Sequence, residues 1–346
     1  MEKLNLLKLN RQELEDHIMS LGEKSFRASQ LWSWIYQHGV ASFDEMTNIT
    51  KAFRQRLDAE ATIGSIQLVQ KSQSSTSGTQ KYLWQLEDGL QVESVYIPEE
   101  KRRTACISTQ VGCALGCQFC ATGTMGFIRN LEPCEIVEQV LQVRRDVGQL
   151  TNLVIMGMGE PFNNYDNLLK ALYTIKDGEG IAIGHRKITI STAGVVPQIL
   201  RYTGEKHPFL LAISLNATTD TIRSQIMPIN RKYPIEMVLD AAKKYTKTLK
   251  KRLTFEYVLI HGVNDSAQDA QRLIKLLKGI PCKINLIAYN TTTDALKRPS
   301  DEHVYRFAEW MRPIGAPVTL RLSRGQDIDG ACGQLVVAGQ KKESRI

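Results

Sequence analysis

The chain has 346 residues, of which 42% are hydrophobic and 23% are charged, proportions typical of a soluble globular protein with one large core and a small accessory domain. Its formal net charge of +8 favours a polyanionic partner such as nucleic acid, although a basic surface kept for solubility would read the same. The N-terminus lacks an apolar segment of signal-peptide length, and no apolar run approaches the roughly 20 residues of a membrane helix. We therefore expect a cytoplasmic protein, in which the seven cysteines serve as metal ligands, redox groups or core residues.

The first hundred residues predict a helical module followed by a small antiparallel sheet. Apolar residues recur at helical spacing through residues 25–38 and 43–57, which indicates short amphipathic helices. A polar turn at residues 71–80 separates strand-like runs at 66–69 and 81–86, and a third run at 90–97 follows an Asp-Gly turn signal. We assign residues 1–65 to an N-terminal accessory domain and residues 66–100 to a β extension.

From residue 101 to residue 346 strands and helices alternate. This pattern predicts parallel strands joined by crossover helices. About six such units are too few for a complete eight-fold barrel, so the fold class is α/β with a partial (β/α)6 barrel. The predicted strands are 104–109, 153–158, 187–191, 210–215, 253–260 and 284–289, with a late strand at 318–322, and the predicted helices are 132–147, 167–176, 235–248, 267–278 and 301–312.

Three cysteines, Cys113, Cys117 and Cys120, fall within eight residues on a loop after a predicted strand. Such short spacers let all three thiols point toward one compact metal centre. Structural zinc usually takes four ligands, and no further Cys or His lies close in sequence. An iron–sulfur cluster with three protein ligands would keep one iron open for a substrate or cofactor. A zinc knuckle remains the alternative.

Four motifs together resemble one family. The CxxxCxxC loop, with Phe119 between its last two cysteines, is similar to that of the radical S-adenosylmethionine (SAM) superfamily. Residues 123–127 read Gly-Thr-Met-Gly-Phe, residues 157–161 read Gly-Met-Gly-Glu-Pro, and residues 324–335 read Arg-Gly-Gln-Asp-Ile-Asp-Gly-Ala-Cys-Gly-Gln-Leu. With these the chain resembles the RlmN/Cfr family of RNA methyltransferases over nearly its whole length. The resemblance implies one [4Fe–4S] cluster held by Cys113, Cys117 and Cys120, with SAM as the second cofactor.

The resemblance also implies a SAM site at the ends of successive strands, where parallel α/β folds place their ligands. The second strand ends in a glycine-rich segment, and the later strand ends supply hydroxyl, amide and backbone groups. This chain has asparagine at residue 216, where many relatives have histidine, and an asparagine side chain can still form hydrogen bonds. The implied SAM-binding residues are Gly159, Glu160, Ser191, Ser214, Leu215, Asn216 and Asn290.

Three residues outside the cluster loop are implied as catalytic. Cys332 would accept a methyl group from one SAM, because a thiolate is a competent nucleophile. A radical generated from a second SAM would then activate that methyl group for addition to adenine C2. Cys106 would attack the sulfur of Cys332 to release the product, leaving a transient disulfide bond. Glu93 would remove the proton from the base. Cys134 and Cys282 match nothing and are interpreted as structural.

The implied substrates are an adenine of 23S rRNA near the peptidyl-transferase centre and the adenine beside the anticodon of tRNA. Basic groups at residues 101–103, 185–187 and 247–252 would contact phosphates. So would Arg321 and Arg324, and the accessory domain would add Lys51, Arg54, Arg56, Trp32 and Trp34. We expect a monomer that does not bind membranes and takes electrons from a flavodoxin or ferredoxin. Two alternatives remain open: methylation at C8 of the same rRNA adenine, and a non-catalytic RNA-binding protein.

Overall fold

The computed structural model describes residues 3–337 and residue 339. Its N-terminal part consists of short helices that pack around buried apolar side chains, as the spacing predicts. Asn10 and Glu13 form a reciprocal capping box at the start of helix α1, which satisfies backbone amides that the first turn leaves free. No helix within residues 3–337 combines the length and the apolar character needed to cross a membrane.

Most strands belong to one twisted ten-stranded sheet, in the order β14-β13-β12-β11-β10-β9-β6-β5-β4-β3. The strands from β6 through β9 to β14 pair in parallel, whereas β3, β4, β5 and β6 pair antiparallel. The strands of the described chain are β1 (Leu4–Asn5), β2 (Ala61–Thr62), β3 (Gln67–Gln73), β4 (Gln80–Gln85), β5 (Gln91–Glu99), β6 (Arg102–Cys106), β7 (Gln110–Gly112), β8 (Phe127–Asn130), β9 (Asn152–Ile155), β10 (Ile188–Thr192), β11 (Leu210–Ser214), β12 (Leu253–Leu259), β13 (Cys282–Ala288) and β14 (Val318–Arg321).

Helices connect the parallel strands and cover the outer face of the sheet. The α-helices are α1 (Arg11–Ser20), α2 (Phe26–Trp32), α3 (Lys51–Glu60), α4 (Ala121–Thr124), α5 (Pro133–Val147), α6 (Tyr165–Lys176), α7 (Val196–Gly204), α8 (Asp220–Ile226), α9 (Ile235–Leu249), α10 (Ala267–Leu277) and α11 (Asp301–Trp310). Helix α2 continues as a π-helix, Ser33–His38. Short 3-10 helices span Leu6–Lys8, Phe43–Glu45, Pro161–Asn164, His185–Lys187, Pro228–Arg231, Arg312–Ile314 and Gln326–Ile328.

The partial barrel predicted from the sequence is confirmed, because six parallel strands and the late strand β14 form an open sheet with crossover helices. Four of the described α-helices, α1, α4, α7 and α8, were not predicted. Helices α4 and α8 are only four and seven residues long, too short to show an apolar period. Helix α7 begins beside Pro197, although its buried residues Val196, Ile199 and Tyr202 recur at helical spacing. The first barrel strand was predicted to run through Thr109 but ends at Cys106, because Ser108 turns away to bond Glu93 and Gln139.

The accessory helices and the barrel are joined through helix α5. The Glu138 carboxylate accepts hydrogen bonds from the backbone amides of Ser65 and Ile66, at 2.9 and 3.1 Å. Arg144 and Arg145 on the same helix donate to backbone carbonyls at the end of the π-helical segment. These polar contacts form a seam between helix α5 and the accessory helices, and they fix the position of one part against the other.

The segment after β14 closes the open side of the barrel. Arg324 donates to the carbonyl of Pro98 at 2.8 Å, and the Ser75 amide donates to Asp327 at 3.2 Å. These bonds connect the last part of the chain to the β extension, on the far side of the sheet from β14. The extension and the C-terminal segment therefore form one wall of the barrel.

Candidate active site

The cysteine loop is set by the short hairpin β7–β8. Gly112 ends β7 with φ +72°, and a Cβ atom there would lie 1.9 Å from the carbonyl oxygen of Gly126, so only glycine fits. The next amide, of Cys113, donates to that same oxygen at 2.9 Å. The hairpin fixes where the loop begins and turns its thiols inward.

The C-terminal segment packs directly on the cysteine loop. The amide of Ala121 donates to the carbonyl of Gly333 at 2.7 Å, and the Thr122 hydroxyl donates to the carbonyl of Leu335 at 2.6 Å. Gly333 has φ +87°, and a Cβ atom there would lie 3.0 Å from the Phe119 carbonyl oxygen. Residues more than 200 positions apart in sequence are therefore hydrogen-bonded to each other at the cysteine loop.

The three loop cysteines are half-buried and lie close enough together for their charges to interact. Burial raises the pKa of Cys113 to about 12 and the pKa of Cys117 well above its ordinary value. The neighbouring thiols add to both shifts, because a negative charge on one disfavours ionisation of the next. Thiols in such a place ionise only when a cation compensates the charge, as a metal cluster does.

The donor set fits a polynuclear cluster better than a single ion. Within residues 3–337, no group of three or more His, Cys, Asp or Glu side chains lies close enough to hold one metal ion. The ligands of mononuclear zinc must lie about 2.3 Å from a common point, whereas each cysteine of a cluster binds a different iron. Cys113, Cys117 and Cys120 each have a free thiol that could bind a separate iron, as the second case requires.

Cys106 and Cys332, which are remote in sequence, lie together inside the barrel. Cys106 ends strand β6 and is 6% exposed. Burial raises its pKa to about 12, and a charge on Cys332 adds to the rise. The backbone of Cys332 is held by Asn290, whose amide donates to its carbonyl at 2.9 Å. The next residue, Gly333, accepts the Ala121 amide beside Cys120, so the segment of Cys332 contacts the cysteine loop as well as the cavity that Cys106 lines.

Glu93 lies on β5 with its side chain in the protein interior, only 4% exposed. Its carboxylate pairs with Lys81 at 2.9 Å and accepts the backbone amide of Val336 at 2.9 Å. Burial raises the pKa of Glu93 above its ordinary value, while Lys81 opposes that rise. The alternating pattern of β5 would place Glu93 toward solvent. The C-terminal segment covers it instead.

Gly159 and Glu160 follow β9, where the sequence places them. Gly159 has φ +98°, and a Cβ atom there would lie 2.5 Å from the Cβ of Gln110. The buried Glu160 carboxylate accepts the amides of Phe162 and Ala193 at 3.0 and 2.8 Å. This carboxylate therefore connects the segments that follow β9 and β10.

The later strand ends are only partly available to a ligand. Asn216, with φ +56°, uses its side chain internally, since its Oδ1 accepts the Val258 amide at 2.9 Å. The carbonyls of Ser214 and Leu215 accept hydrogen bonds from Arg223. The structure brings these residues to one edge of the sheet together with Ser191 and Asn290, where Asn290 also accepts from Gln326 at 2.6 Å.

A cavity of about 460 Å³ occupies the barrel beneath the two cysteines. Cys106 and Cys332 line it, as do Glu256 and Arg321. The Glu256 Oε1 atom is buried without a hydrogen-bond partner and lies 3.7 Å from an Arg321 nitrogen. The Ser191 hydroxyl donates to the other carboxylate oxygen at 2.8 Å.

Sequence reasoning missed Lys81, Arg223 and Glu256. A charged residue in an apolar strand, as in residues 253–259, is the available signal for Glu256, because burying a charge has to be compensated. Arg223 gives a weaker signal, since it occupies a short polar helix. Of the predicted RNA contacts, Trp32 packs in the core, and Arg321, whose side chain is 28% exposed, lines the cavity.

Comparisons with known proteins agree with this arrangement. A model of the ribosomal RNA large subunit methyltransferase N-terminal domain matches residues 4–63, and a radical SAM superfamily model matches residues 107–277. Among curated proteins named dual-specificity RNA methyltransferase RlmN, one from Syntrophobacter fumaroxidans is 45% identical over 94% of this chain and 95% of its own. Another, from Geobacter sulfurreducens, is 47% identical over 93% of this chain and 89% of its own.

A solved structure agrees in the same way. The crystal structure of a radical SAM methyltransferase from Sphaerobacter thermophilus matches with a TM-score of 0.91 and 42% sequence identity, covering 96% of this chain and 99% of that one. The agreement extends over both the accessory helices and the barrel. The chain therefore belongs to the RlmN family within the radical SAM superfamily.

Proposed function

We propose that this chain methylates C2 of adenine in 23S rRNA, at the peptidyl-transferase centre, and in tRNA, at the adenine beside the anticodon. The observation that carries the proposal is the place of Cys332, which lines one cavity with Cys106 and whose neighbour Gly333 accepts the amide of Ala121 beside Cys120. A methyl carrier needs both the cysteine loop and Cys106, one to activate the methyl group and one to release the product.

Membership of the radical SAM superfamily implies SAM and a [4Fe–4S] cluster. We propose Cys113, Cys117 and Cys120 as the cluster ligands, and Gly159, Glu160, Ser191, Ser214, Leu215, Asn216 and Asn290 as the residues around SAM. When bound, these groups supply a methyl group and a carbon radical. The protein contributes the cysteine loop and the segment around Gly333 that closes it. Together they exclude water from the bound groups.

Cys332 carries the reacting carbon in this proposal. Its S-methyl group would give a hydrogen atom to the SAM-derived carbon radical, and the resulting methylene carbon would bond to C2 of the base. Glu93 would then take the C2 proton while one electron passes from the adduct to the oxidised cluster. Cys106 attacks the sulfur of Cys332, the sulfur–carbon bond breaks, and the released carbon gains a proton to become the methyl group. A disulfide between the two cysteines remains, and a reductant must open it before the next turnover.

The same proposal assigns roles to the rest of the chain. Residues 1–65 form an RNA-binding accessory domain, residues 66–100 a β extension, and residues 101–346 the radical SAM core with the catalytic cysteine loop. The formal net charge of +8 supports RNA as the partner. We propose a cytoplasmic monomer that receives electrons from a flavodoxin or ferredoxin.

Nucleoside analysis tests the reaction. Anaerobically reconstituted protein, incubated with SAM, a reductant and unmodified rRNA or tRNA fragments, should yield 2-methyladenosine on mass spectrometry. Accumulation of the 8-methyl isomer alone would replace the proposed carbon with C8. Protein that binds zinc instead of iron and sulfide, and leaves RNA unmodified, would contradict the proposed enzyme.

A further inference from the structure

The barrel cavity extends away from the cluster loop. Its lining includes residues from the N-terminal halves of parallel strands, among them Thr104, Asn152 and Thr254, and it also includes Cys106 and Cys332. The proposed SAM residues lie at the opposite, C-terminal ends of the strands. Cys332 is thus reached from two sides, from the cluster loop above and from this cavity below. Its volume of about 460 Å³ is within the range of roughly 300–1,000 Å³ of small-molecule pockets.

A buried, unpartnered oxygen faces this space. Glu256 is 6% exposed, and one of its carboxylate oxygens accepts the Ser191 hydroxyl. The other oxygen has no hydrogen-bond donor, and an Arg321 nitrogen lies 3.7 Å from it as an ion-pair partner. Leaving such an atom unsatisfied is costly, so it marks a place where a ligand supplies an N–H or O–H group. Arg321, beside it, is a guanidinium that can donate to a ring nitrogen.

We propose that this cavity is the pocket of the target adenine, which enters from the N-terminal rim of the barrel. This inference rests on the proposed function. Glu256 accepts a hydrogen bond from the exocyclic 6-amino group, and Arg321 donates to the adjacent ring nitrogen. Guanine is rejected because its carbonyl oxygen at the same position would face a carboxylate. The flipped base then lies against Cys332, where the new carbon–carbon bond forms.

The rim has the charge that an RNA backbone requires. Three exposed cationic residues, Arg102, Lys187 and Arg324, line the mouth of the cavity together with one exposed carboxylate, Glu99. Phosphate contacts there would hold the nucleotide without reading its base. The recognition of adenine is left to Glu256 and Arg321 inside the cavity.

An RNA hairpin with either adenine or unsubstituted purine at the target position tests the base contact. A hydrogen bond to a charged group corresponds to a preference of about 10- to 150-fold for adenine in kcat/KM. In the Glu256→Gln enzyme, Ser191 still donates to the amide oxygen, so the amide NH2 group faces the cavity and the preference should fall below about threefold. The KM for SAM should stay unchanged. An unaltered preference with weakened SAM binding would overturn the assignment and give Glu256 to SAM.

Two further measurements locate the pocket. Ala212 lines the cavity, and the Ala212→Phe substitution should abolish RNA methylation while Cys332 is still methylated in a folded, cluster-loaded protein. Wild-type rates in this variant would overturn the inference alone. Fluorescence anisotropy of the labelled hairpin measures RNA binding in variants that leave Ala212 unchanged. The Arg102→Glu and Lys187→Glu substitutions should each weaken this binding by more than about fivefold. The exposed control Lys170→Glu, on helix α6, should not.

The Lys170→Glu control and the wild-type enzyme distinguish failure of the inference from failure of the proposed function. Equal binding by the rim variants and Lys170→Glu would place the RNA elsewhere and overturn the inference, with the proposed function intact. A wild-type enzyme that methylates no RNA under the same conditions would overturn the proposed function and the inference with it.

Discussion

The Glu93 carboxylate accepts a hydrogen bond from the Val336 amide at 2.9 Å, although the two residues are 243 positions apart. Val336 follows the loop of Cys332 by four residues, and Glu93 belongs to the β extension. The proposed proton acceptor therefore also holds down the segment that carries the proposed methyl carrier. A substitution at Glu93 is expected to affect both proton removal and loop position, and these two effects can be separated.

Replacement of Glu93 by glutamine keeps the hydrogen bond from Val336 but removes the basic oxygen. We expect single-turnover methylation to slow by about 10²- to 10⁴-fold, because general base catalysis contributes that much. Since burial raises the pKa of Glu93, the wild-type rate should increase with pH through that raised pKa, and the variant should lose this limb. A pH–rate profile checks both, with the exposed Glu87→Gln as control. An identical profile in wild type and variant would contradict the role.

Replacement of Cys106 by alanine removes the thiol that releases the product. RNA should accumulate in a covalent adduct on Cys332, and free methylated RNA should fall to a background level. Denaturing electrophoresis and peptide mass spectrometry detect the adduct. The buried Cys282→Ala variant, remote from the cluster loop on β13, serves as the matched control and should turn over normally. Normal release of product by Cys106→Ala would remove Cys106 from the reaction.

Replacement of Cys332 by alanine should abolish RNA methylation completely, because the carrier of the methyl group is lost. The three loop cysteines remain, so iron content and part of the reductive SAM cleavage should persist. Liquid chromatography of 5′-deoxyadenosine and of digested RNA measures the two activities side by side. Any methyladenosine formed by this variant would show that the methyl group takes another route.

The seam at Glu138 predicts a pH dependence of stability. Burial raises the pKa of Glu138 from 4.5 to about 7, although the amides of Ser65 and Ile66 oppose the rise. The folded state then holds a proton that the unfolded state releases, so the free energy of unfolding should decline as pH rises from about 4.5 to 7, by at most about 3 kcal/mol. Urea denaturation across this range measures the decline, and Glu138→Gln should flatten it. A slope that survives in the variant would locate its cause elsewhere.

Much of the fold follows from alternating strands and helices, and the barrel strands were predicted to within a few residues. The structure departs from the prediction where polar side chains decide the local path. Ser108 ends the first barrel strand early through its bonds to Glu93 and Gln139, and the buried Arg223 sits in a helix without an apolar period. Hydropathy patterns do not register such interactions, because they depend on partners from other parts of the chain.

For the candidate site, the sequence placed the cysteine loop and the residues at the strand ends. It did not show that Glu93 is buried beside Lys81, or that Glu256 lies under Cys332, since both depend on closure of the barrel by the last segment. Asn216 illustrates the opposite case. The motif gives it as a SAM contact, but its side chain bonds Val258 within the protein.

The wall made by the segment after β14 has a consequence for synthesis of the protein. Cys332 and the contacts that close the barrel are translated after all the barrel strands. A ribosome-bound chain could complete the cysteine loop and take up iron while the barrel is still open on one side. Premature termination before residue 332 would remove the proposed methyl carrier together with the segment that bonds Glu93 and Thr122, while all three loop cysteines would still be present.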